Sequence, residues 1–589
     1  MLSLAVHKMS FLFSCGDAER GDNVIQVKST LSDQRGETPF VAVEPCEPAQ
    51  FRVLLVYPNL PLMLVPPLSI AIFTGILKDN GYQLSLFETT AYLEEDATVS
   101  PENRVKLAHA REFDYERDLG VTVRTTDVYS DFRAAVLEFQ PHVMIFSVVE
   151  DAFRQCIGLL KAVADLDIPH IIGGVFPTAA PDRCISVDEV KMIGIGEGED
   201  TISLFCESIR QGQPVTGIPG TWVKVNGQLV KNPKGALVDI ALQHPDFSLF
   251  DSRRFYRPMG GRIFRTVPIE TYRGCPYKCT YCNSPMRVDQ AIAGDQGNFL
   301  RRKPIPCVRN EIAALIERLN PEFLYFIDDS FLARPKSEIF AFCDMYEEFK
   351  IPFWFNTRPE NCRLPEMQRL KEVGAYRISF GIECGNEEYR KKVLLRQVTN
   401  KQIIDSFSVI EESKIPFALN LIIGFPGETR ALVMDTVELV RSIGGYDSLT
   451  VSIFTPYHGT RLRDVAVRNG WLDDSIITEH TTASSLLRMP APYLSQQEID
   501  GLMRVLPLYC YFPKADWAEI ECAEREGAEG DAILLKFMDI YRREFLGENQ
   551  EQKLRTVIAS GTGCRASIKD SYFLSPLRLT EEQFMTLIP

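Results

Sequence analysis

Apolar residues recur along this chain in two separate series. In each, short unbroken apolar runs alternate with stretches whose apolar positions fall three and four residues apart. Unbroken runs of four to eight bounded by turn residues are the pattern of buried strands, and three-four spacing is that of amphipathic helices. The first series starts at Phe51. Residues 53–57 end at Pro58 and read as a strand. Pro66-Pro67 open a helix with Leu68, Ala71, Ile72, Gly75 and Ile76 on one face, and Asn80-Gly81 stops it. Residues 83–87 form the next strand. A polar stretch, 91–127, reads as an insertion. Residues 143–149, 170–172 and 190–195 are further strands, separated by a helix marked by Phe153, Ile157, Leu160 and Ala164. Another helix starts at Thr201. Such alternation implies an α/β domain with a parallel sheet covered on both faces, flavodoxin- or Rossmann-like, over 51–215. Residues 221–231 place Asn226-Gly227 between two β-like runs and read as a hairpin. Residues 216–264 as a whole are hairpin and linker.

The second series places strands at 267–272, 323–327, 353–356, 376–382, 417–423 and 449–454, each but the last followed by a helical pattern. Six strands in this rhythm predict a parallel (β/α)6 partial barrel over 265–472, whose active face is the carboxyl end of the sheet. Beyond Asp473 the alternation stops. Residues 496–506 and 532–545 look helical, so 473–589 is a mostly α-helical C-terminal region. Residues 1–50 lack sustained periodicity and read as a weakly ordered extension.

Composition narrows the function. The chain has 589 residues, enough for several domains. It carries 64 lysines and arginines against 79 acidic residues, a net charge of −15, which argues against a nucleic-acid partner. Fifteen cysteines, an odd number scattered through a long chain, point to a reducing compartment rather than a disulfide scaffold. Cys156, Cys206 and Cys343 sit in apolar periodic segments and read as buried small hydrophobes. No apolar run approaches the ~18–20 residues of a membrane span. His7 and Lys8 interrupt the apolar N-terminus and no small-x-small cleavage site follows, so a cytoplasmic protein is expected.

The chemistry concentrates in residues 271–283, T-Y-R-G-C-P-Y-K-C-T-Y-C-N, directly after the first strand of the second series. Cys275, Cys279 and Cys282 form a C-x3-C-x2-C array. Three thiolates this close can ligate three irons of a [4Fe–4S] cluster and leave the fourth open to a substrate or cofactor. A structural zinc site is the alternative, but zinc takes four ligands and no fourth cysteine or histidine lies nearby. A disulfide would leave one cysteine odd.

With Tyr281 as the aromatic of C-x3-C-x-aromatic-C, the array resembles that of the radical S-adenosylmethionine (SAM) superfamily. Four later segments resemble the same family: 326–331 (F-I-D-D-S-F) its strand two, 379–383 (S-F-G-I-E) its strand four, 420–429 its strand five, and 454–462 the loop after strand six. The resemblance implies that the open iron chelates SAM. One-electron reduction then yields methionine and a 5′-deoxyadenosyl radical, which abstracts a substrate hydrogen. It implies SAM contacts from Tyr281, Ser379, Glu383 (ribose), Asn420 and Gly424 (adenine-side turn). Asn356 and Arg358, at one strand end, are candidates to orient SAM or substrate, although Arg358 before Pro359 also reads as a surface residue. A cap on the next helix is the lesser alternative reading of Asp328-Asp329. Glu383 suits a ribose diol, as carboxylates do in dinucleotide sites.

The domain at 51–215 resembles the cobalamin-binding domain found upstream of many radical SAM enzymes. The matching residues are Pro66-Pro67-Leu68, Asn80-Gly81-Tyr82, Ser147, Gly173-Gly174 and Gly196-Glu197-Gly198-Glu199. The chain lacks D-x-H-x-x-G, and none of its seven histidines stands in that context, so cobalt is expected to have no histidine lower ligand. A flavodoxin-like domain without a cofactor is the alternative. Ser147, Gly173, Gly174, Gly196, Glu197 and Gly198 are the candidate cobalamin contacts. Together the resemblances imply a cobalamin-dependent radical SAM methyltransferase acting on an unactivated carbon or a phosphinate of a small molecule. Its electrons would come from an external donor such as flavodoxin or ferredoxin. Oxidative cyclisation or rearrangement with the same cofactors, as in the anaerobic porphyrin-ester cyclases, and a non-catalytic iron–sulfur electron carrier are the other readings.

Overall fold

The computed structural model describes residues 39–93, 107, 115–259, 262–479, 484–547 and 585–587. Most of the expected N-terminal extension, much of the 91–127 insertion, and His7, His109 and His480 lie outside these residues.

The first series folds into one seven-stranded sheet in the order β2-β1-β3-β4-β5-β6-β7. Its strands are β1 (Arg52–Tyr57), β2 (Gln83–Glu88), β3 (Val143–Ser147), β4 (His170–Gly173), β5 (Met192–Gly194), β6 (Thr221–Val225) and β7 (Gln228–Lys231). The first five are mutually parallel, and β6–β7 extend the sheet antiparallel from β5. The unbroken apolar runs follow from burial on both faces. Val53, Leu55, Val143 and Ile145 face one core with helices Leu68–Asp79 and Glu199–Arg210. Leu54, Val56, Met144 and Phe146 face the other with Val128–Phe139 and Phe153–Ala162. The β6–β7 turn takes positive φ at both Asn226 (49°) and Gly227 (75°), the geometry that makes Asn-Gly a hairpin turn. Helix Val128–Phe139, capped by Asp127 accepting from the Ser130 amide, is the crossover from β2 to β3 and was not expected.

The second series forms β8 (Tyr256–Met259), β9 (Arg262–Ile269), β10 (Tyr272–Arg273), β11 (Arg301–Arg302), β12 (Phe323–Phe326), β13 (Phe353–Thr357), β14 (Ala375–Glu383), β15 (Phe417–Ile423) and β16 (Ser448–Ile453). The large sheet has the order β16-β15-β14-β13-β12-β9-β8. Six strands, β9 and β12 to β16, are parallel and form the predicted open half-barrel, with β8 antiparallel at one edge. Three details differ from expectation. The first barrel strand stops at Ile269, because Tyr272–Arg273 pairs with Arg301–Arg302 instead. The stretch before it contributes β8. The last strand is followed by a helix after all, Arg461–Arg468, capped by the Thr460 hydroxyl accepting from the Arg463 amide. Among its described residues, the C-terminal region runs without helix up to residue 495 and then carries the helices Gln496–Tyr511, Trp517–Cys522 and Ala528–Tyr541. Cys156, Cys206 and Cys343 are fully buried.

At the carboxyl end of β4, Gly174 has φ 113°, and a Cβ on it would lie 2.4 Å from the Val148 carbonyl oxygen. A Cβ on Gly196 (φ 93°), after β5, would meet nothing within 4 Å. Gly174→Ala should therefore destabilise the N-terminal domain by on the order of 3 kcal/mol, strain and overlap together. Gly196→Ala should cost only the backbone term, about 1 kcal/mol. Denaturant titration of the two variants checks the difference, and equal losses would refute it.

Candidate active site

The cysteine loop leaves β9 at the carboxyl end of the half-barrel and is braced from beneath. The buried Asp328 carboxylate, just after β12, accepts from the Thr271 amide (2.7 Å), the Tyr272 amide (3.0 Å) and Arg334 (2.6 Å). Asp328 is thus a brace for the loop rather than a helix cap. Beyond the loop, Cys275, Cys279 and Cys282 reach one cavity of about 240 Å³. All three are free thiols.

Among the described residues, no three histidine, cysteine or acidic side chains converge tightly enough to hold a single metal ion. A cluster needs its thiolates spread over three irons, so three sulfurs on one cavity wall suit it better than they suit zinc. Burial pushes the Cys275 thiol up to about 11 and the Cys282 thiol to about 12. Buried sulfurs of this kind ionise beside strong positive charge, which irons would supply. The Ser284 amide points to Cys282 Sγ (3.4 Å) and Arg358 Nη1 lies 4.0 Å from Cys279 Sγ. The residues fit a cluster.

Tyr281, Asn356, Arg358, Ser379, Glu383 and Asn420 line the same cavity. Gly424 does not. It sits in the turn after β15, φ 78°, donating its amide to Glu428. Arg358 is half-committed: its guanidinium stacks on Tyr277 (3.8 Å) and pairs with Glu360 (2.5 Å), which takes it off the surface. Asn356 donates to the Tyr325 hydroxyl (3.0 Å) and Ser379 accepts from the Trp354 indole (2.9 Å).

Glu383 is aimed by backbone irregularity. The register of β14 against β15 slips between Gly381 and Glu383, and Glu383 itself has φ 62°. A bulge of this kind re-aims a side chain at a strand end. The carboxylate folds back over Gly381, where a Cβ would lie 2.1 Å from its Oε1. Burial raises the Glu383 carboxyl above its usual range, opposed by the Arg396 guanidinium 3.1 Å away. Arg396 also donates to the Tyr281 hydroxyl (3.1 Å) and the Gly381 carbonyl (2.7 Å), so it joins the cysteine loop to β14. Arg396, Tyr277 and Ser330 also line the cavity, and sequence reasoning did not single them out. Arg396 comes from beyond helix Glu387–Lys392, and no local spacing signals it.

The candidate contacts in the first sheet divide. The Ser147 hydroxyl, at the end of β3, lies 3.3 Å from that of Ser69. Gly196 has open space where a Cβ would be, and a Cβ on Gly173 would meet only the Phe146 carbonyl oxygen, at 3.8 Å, so this edge leaves room for a large flat ligand such as cobalamin. Gly174 is instead required by the Val148 backbone, and Gly198 by the Phe73 ring, 2.7 Å from its notional Cβ. The Glu197 side chain is engaged elsewhere. It accepts from Arg273 (3.0 Å), Arg301 (2.9 Å) and the Val238 amide (2.9 Å), and these partners hold its carboxyl down at about 2 against the opposing effect of burial. Arg273 stands two residues before Cys275, so this network ties the first domain to the cysteine loop.

The half-barrel matches a known family: residues 269–440 correspond to the radical SAM superfamily, which makes it a radical SAM domain. Around that domain, more than four fifths of the chain share the fold of two solved enzymes. The radical S-adenosylmethionine methyltransferase TsrM from Kitasatospora setae, solved with cobalamin and a [4Fe–4S] cluster bound, superposes with a TM-score of 0.55 at 16% identity, over 83% of this chain and 99% of that one. The cobalamin-dependent S-adenosylmethionine radical enzyme OxsB, with aqua-cobalamin and SAM bound, superposes with a TM-score of 0.56 at 13% identity, over 85% of this chain and 72% of that one. In sequence, the chain is 24% identical over 385 residues to an uncharacterised methyltransferase of Pyrococcus horikoshii, covering 64% of this chain and 80% of that one. No helix among the described residues is long and apolar enough to cross a membrane.

Glu428 offers a test of the turn after β15. Its fully buried carboxylate accepts from the Gly424 (2.6 Å) and Phe425 (3.2 Å) amides, yet burial raises its carboxyl to about 8. The folded state then holds a proton that the unfolded chain releases near pH 4.5. The group costs nothing below that pH, and stability falls as pH rises towards 8. Glu428→Gln keeps the acceptor oxygen and removes the titration. The variant's thermal midpoint should gain on the parent's between pH 5 and 8 and hold that lead above it. A pH-independent difference would refute the assignment.

Proposed function

We propose that this protein is a cobalamin-dependent radical SAM methyltransferase acting on an unactivated carbon of a small molecule. The observation that carries the reading is the meeting, in one cavity at the carboxyl end of a half-barrel, of three free thiols with strand-end polar groups from β13, β14 and β15. Cys275, Cys279 and Cys282 would hold the [4Fe–4S] cluster. Asn356, Arg358, Ser379 and Asn420 offer hydrogen bonds to an amino-acid nucleoside, and the Glu383 carboxylate accepts from a ribose diol. The Gly424 turn borders the adenine side, and Tyr281, fixed by Arg396, packs beside the cysteines. Cobalamin would lie on the carboxyl edge of the first sheet, against Ser147, Gly173 and Gly196, with Gly174, Glu197 and Gly198 shaping that edge.

When bound, these cofactors would supply reductive SAM cleavage to an adenosyl radical and a transferable methyl group. The protein's own part is to hold both against one substrate space and exclude water, with electrons delivered by an external donor such as flavodoxin or ferredoxin. The methyltransferase names of TsrM and the Pyrococcus relative support methyl transfer over cyclisation.

Anaerobically reconstituted protein should show both cluster and cobalamin absorption bands and release 5′-deoxyadenosine from SAM under reduction. Cys279→Ala should lose the cluster band and take that release to background. Methyl-labelled SAM should label the product. Cluster bands without cobalamin bands would sink the cofactor pair, unlabelled product would favour cyclisation, and no 5′-deoxyadenosine would favour an electron carrier.

A further inference from the structure

The interface between the two domains is rich in arginines, and those around the cysteine loop are matched to carboxylates. Arg273 pairs with Glu270, Glu197 and Glu199, and Arg301 with Glu197. Arg334 pairs with Asp328, Arg358 with Glu360 and Arg396 with Glu383. Arg287 differs. Half-buried on helix Ser284–Ala293, it has no hydrogen bond or ion pair among the described residues, and its guanidinium carbon lies 4.8 Å from the centre of the Phe299 ring.

Its position is well defined. Ser284, on the cavity wall, is three residues before it, so both side chains share one helix face. Phe299 packs on Gly274 (2.9 Å to a notional Cβ), the residue before Cys275, and so ties the arginine's shelf to the cysteine loop. The same helix docks on the first domain: Gln290 donates to the Thr178 carbonyl (3.2 Å), and Met286 lies under Gly459 beside Ala179. Charges that act on Arg287 are Arg273, Glu197, Asp329 and Glu270. Glu197 belongs to the loop after β5, and Asp329 lines the cavity. Arg287 therefore stands between the cluster side and the cobalamin side.

A half-buried guanidinium with no carboxylate partner is free to take an anion, and its planar fork is shaped for two oxygens of one carboxylate or phosphate. We infer that Arg287 anchors an oxyanion of the substrate, a carboxylate or a phosphate- or phosphonate-type group, and thereby sets which carbon faces the cofactors. The inference rests on the substrate of the function proposed above lying between the thiol-lined cavity, which Arg287 borders without lining, and the first sheet. Its chemical prediction is narrower: this enzyme prefers anionic small molecules although the chain as a whole is strongly acidic.

The test uses reconstituted full-length protein and needs no known substrate. Phenylglyoxal modification, mapped by peptide mass spectrometry, should label Arg287 faster than the carboxylate-paired Arg273 and Arg301, and millimolar methylphosphonate or acetate should slow labelling at Arg287. In calorimetric titrations, Arg287→Gln should lose methylphosphonate binding by roughly tenfold or more, the loss of one charge-assisted contact, and Arg287→Lys should restore part of it. An Arg287 that is unreactive, or reactive but unprotected by either anion, would overturn the inference. So would losses of SAM affinity or of cobalamin retention in Arg287→Gln that match the loss of phosphonate binding, because the oxyanion would then belong to a cofactor. These readouts do not depend on turnover, so a protein that fails to cleave SAM would refute the proposed function while leaving the anion site separately decided.

Discussion

Glu197 is the charge on which the arrangement of the two domains depends. Its carboxylate is only 2% exposed, yet it is ionised, because two guanidinium groups and one amide converge on it. Buried ion pairs add little net stability compared with apolar packing, but removing one partner costs about 3–5 kcal/mol, because the other charge is left stranded. That asymmetry makes the network a device for register. Arg273 cannot slide along the cysteine loop, and the loop after β5 cannot shift, without stranding a charge. The cysteine loop is thereby held against the carboxyl edge of the first sheet.

A second tie works at the other end of the half-barrel. The buried Glu150, just after β3, accepts from the His458 amide (2.8 Å), His458 Nδ1 (2.7 Å) and the Thr478 amide (2.7 Å). Next to it, Asp151 accepts from the Tyr457 hydroxyl (2.8 Å). Tyr457 and His458 follow β16, the last parallel strand, while Arg273 follows β9, the first. An open six-stranded half-barrel has a gap between those two strands. Both sides of the gap are tied to loops at the carboxyl edge of one sheet, after β3 and after β5. The first domain therefore closes what the barrel leaves open, and the space between them is enclosed by elements far apart in sequence.

What the sequence made legible divides along the same line. Strands buried on both faces give unbroken apolar runs, so both sheets were readable, and C-x3-C-x2-C is a local spacing, so the metal loop was readable too. Helix Val128–Phe139 escaped because it abuts a polar stretch and buries only Val128, Phe132 and Val136. Glycines were visible but their reasons were not. Gly174 answers to Val148, Gly198 to Phe73, and Gly196 to no protein atom, and only the first two approaches are made by protein. Arg396 and Glu197 act through partners that folding brings together from distant segments, which no single-chain pattern records. The sequence located the site through its ligating atoms and missed the charges that hold those atoms in place.

The C-terminal region bears on the site by support as much as by enclosure. The turn Gly424–Glu428 has backbone polar groups that must be satisfied and glycines that leave it soft. Ile499, on helix Gln496–Tyr511, packs 3.1 Å from a notional Cβ on Gly424, and Leu587 lies 2.4 Å from one on Gly427. The Leu494 amide donates to the Glu428 carbonyl (2.9 Å), and Asn469 donates to that of Thr586 (3.1 Å). Leu587 is fully buried. The turn after β15 is thus clamped from behind by residues more than 60 positions away in the chain. Its shape is set by the helical region, which thereby supports the carboxyl end of β15 from behind, although none of that region's described side chains lines the cavity itself.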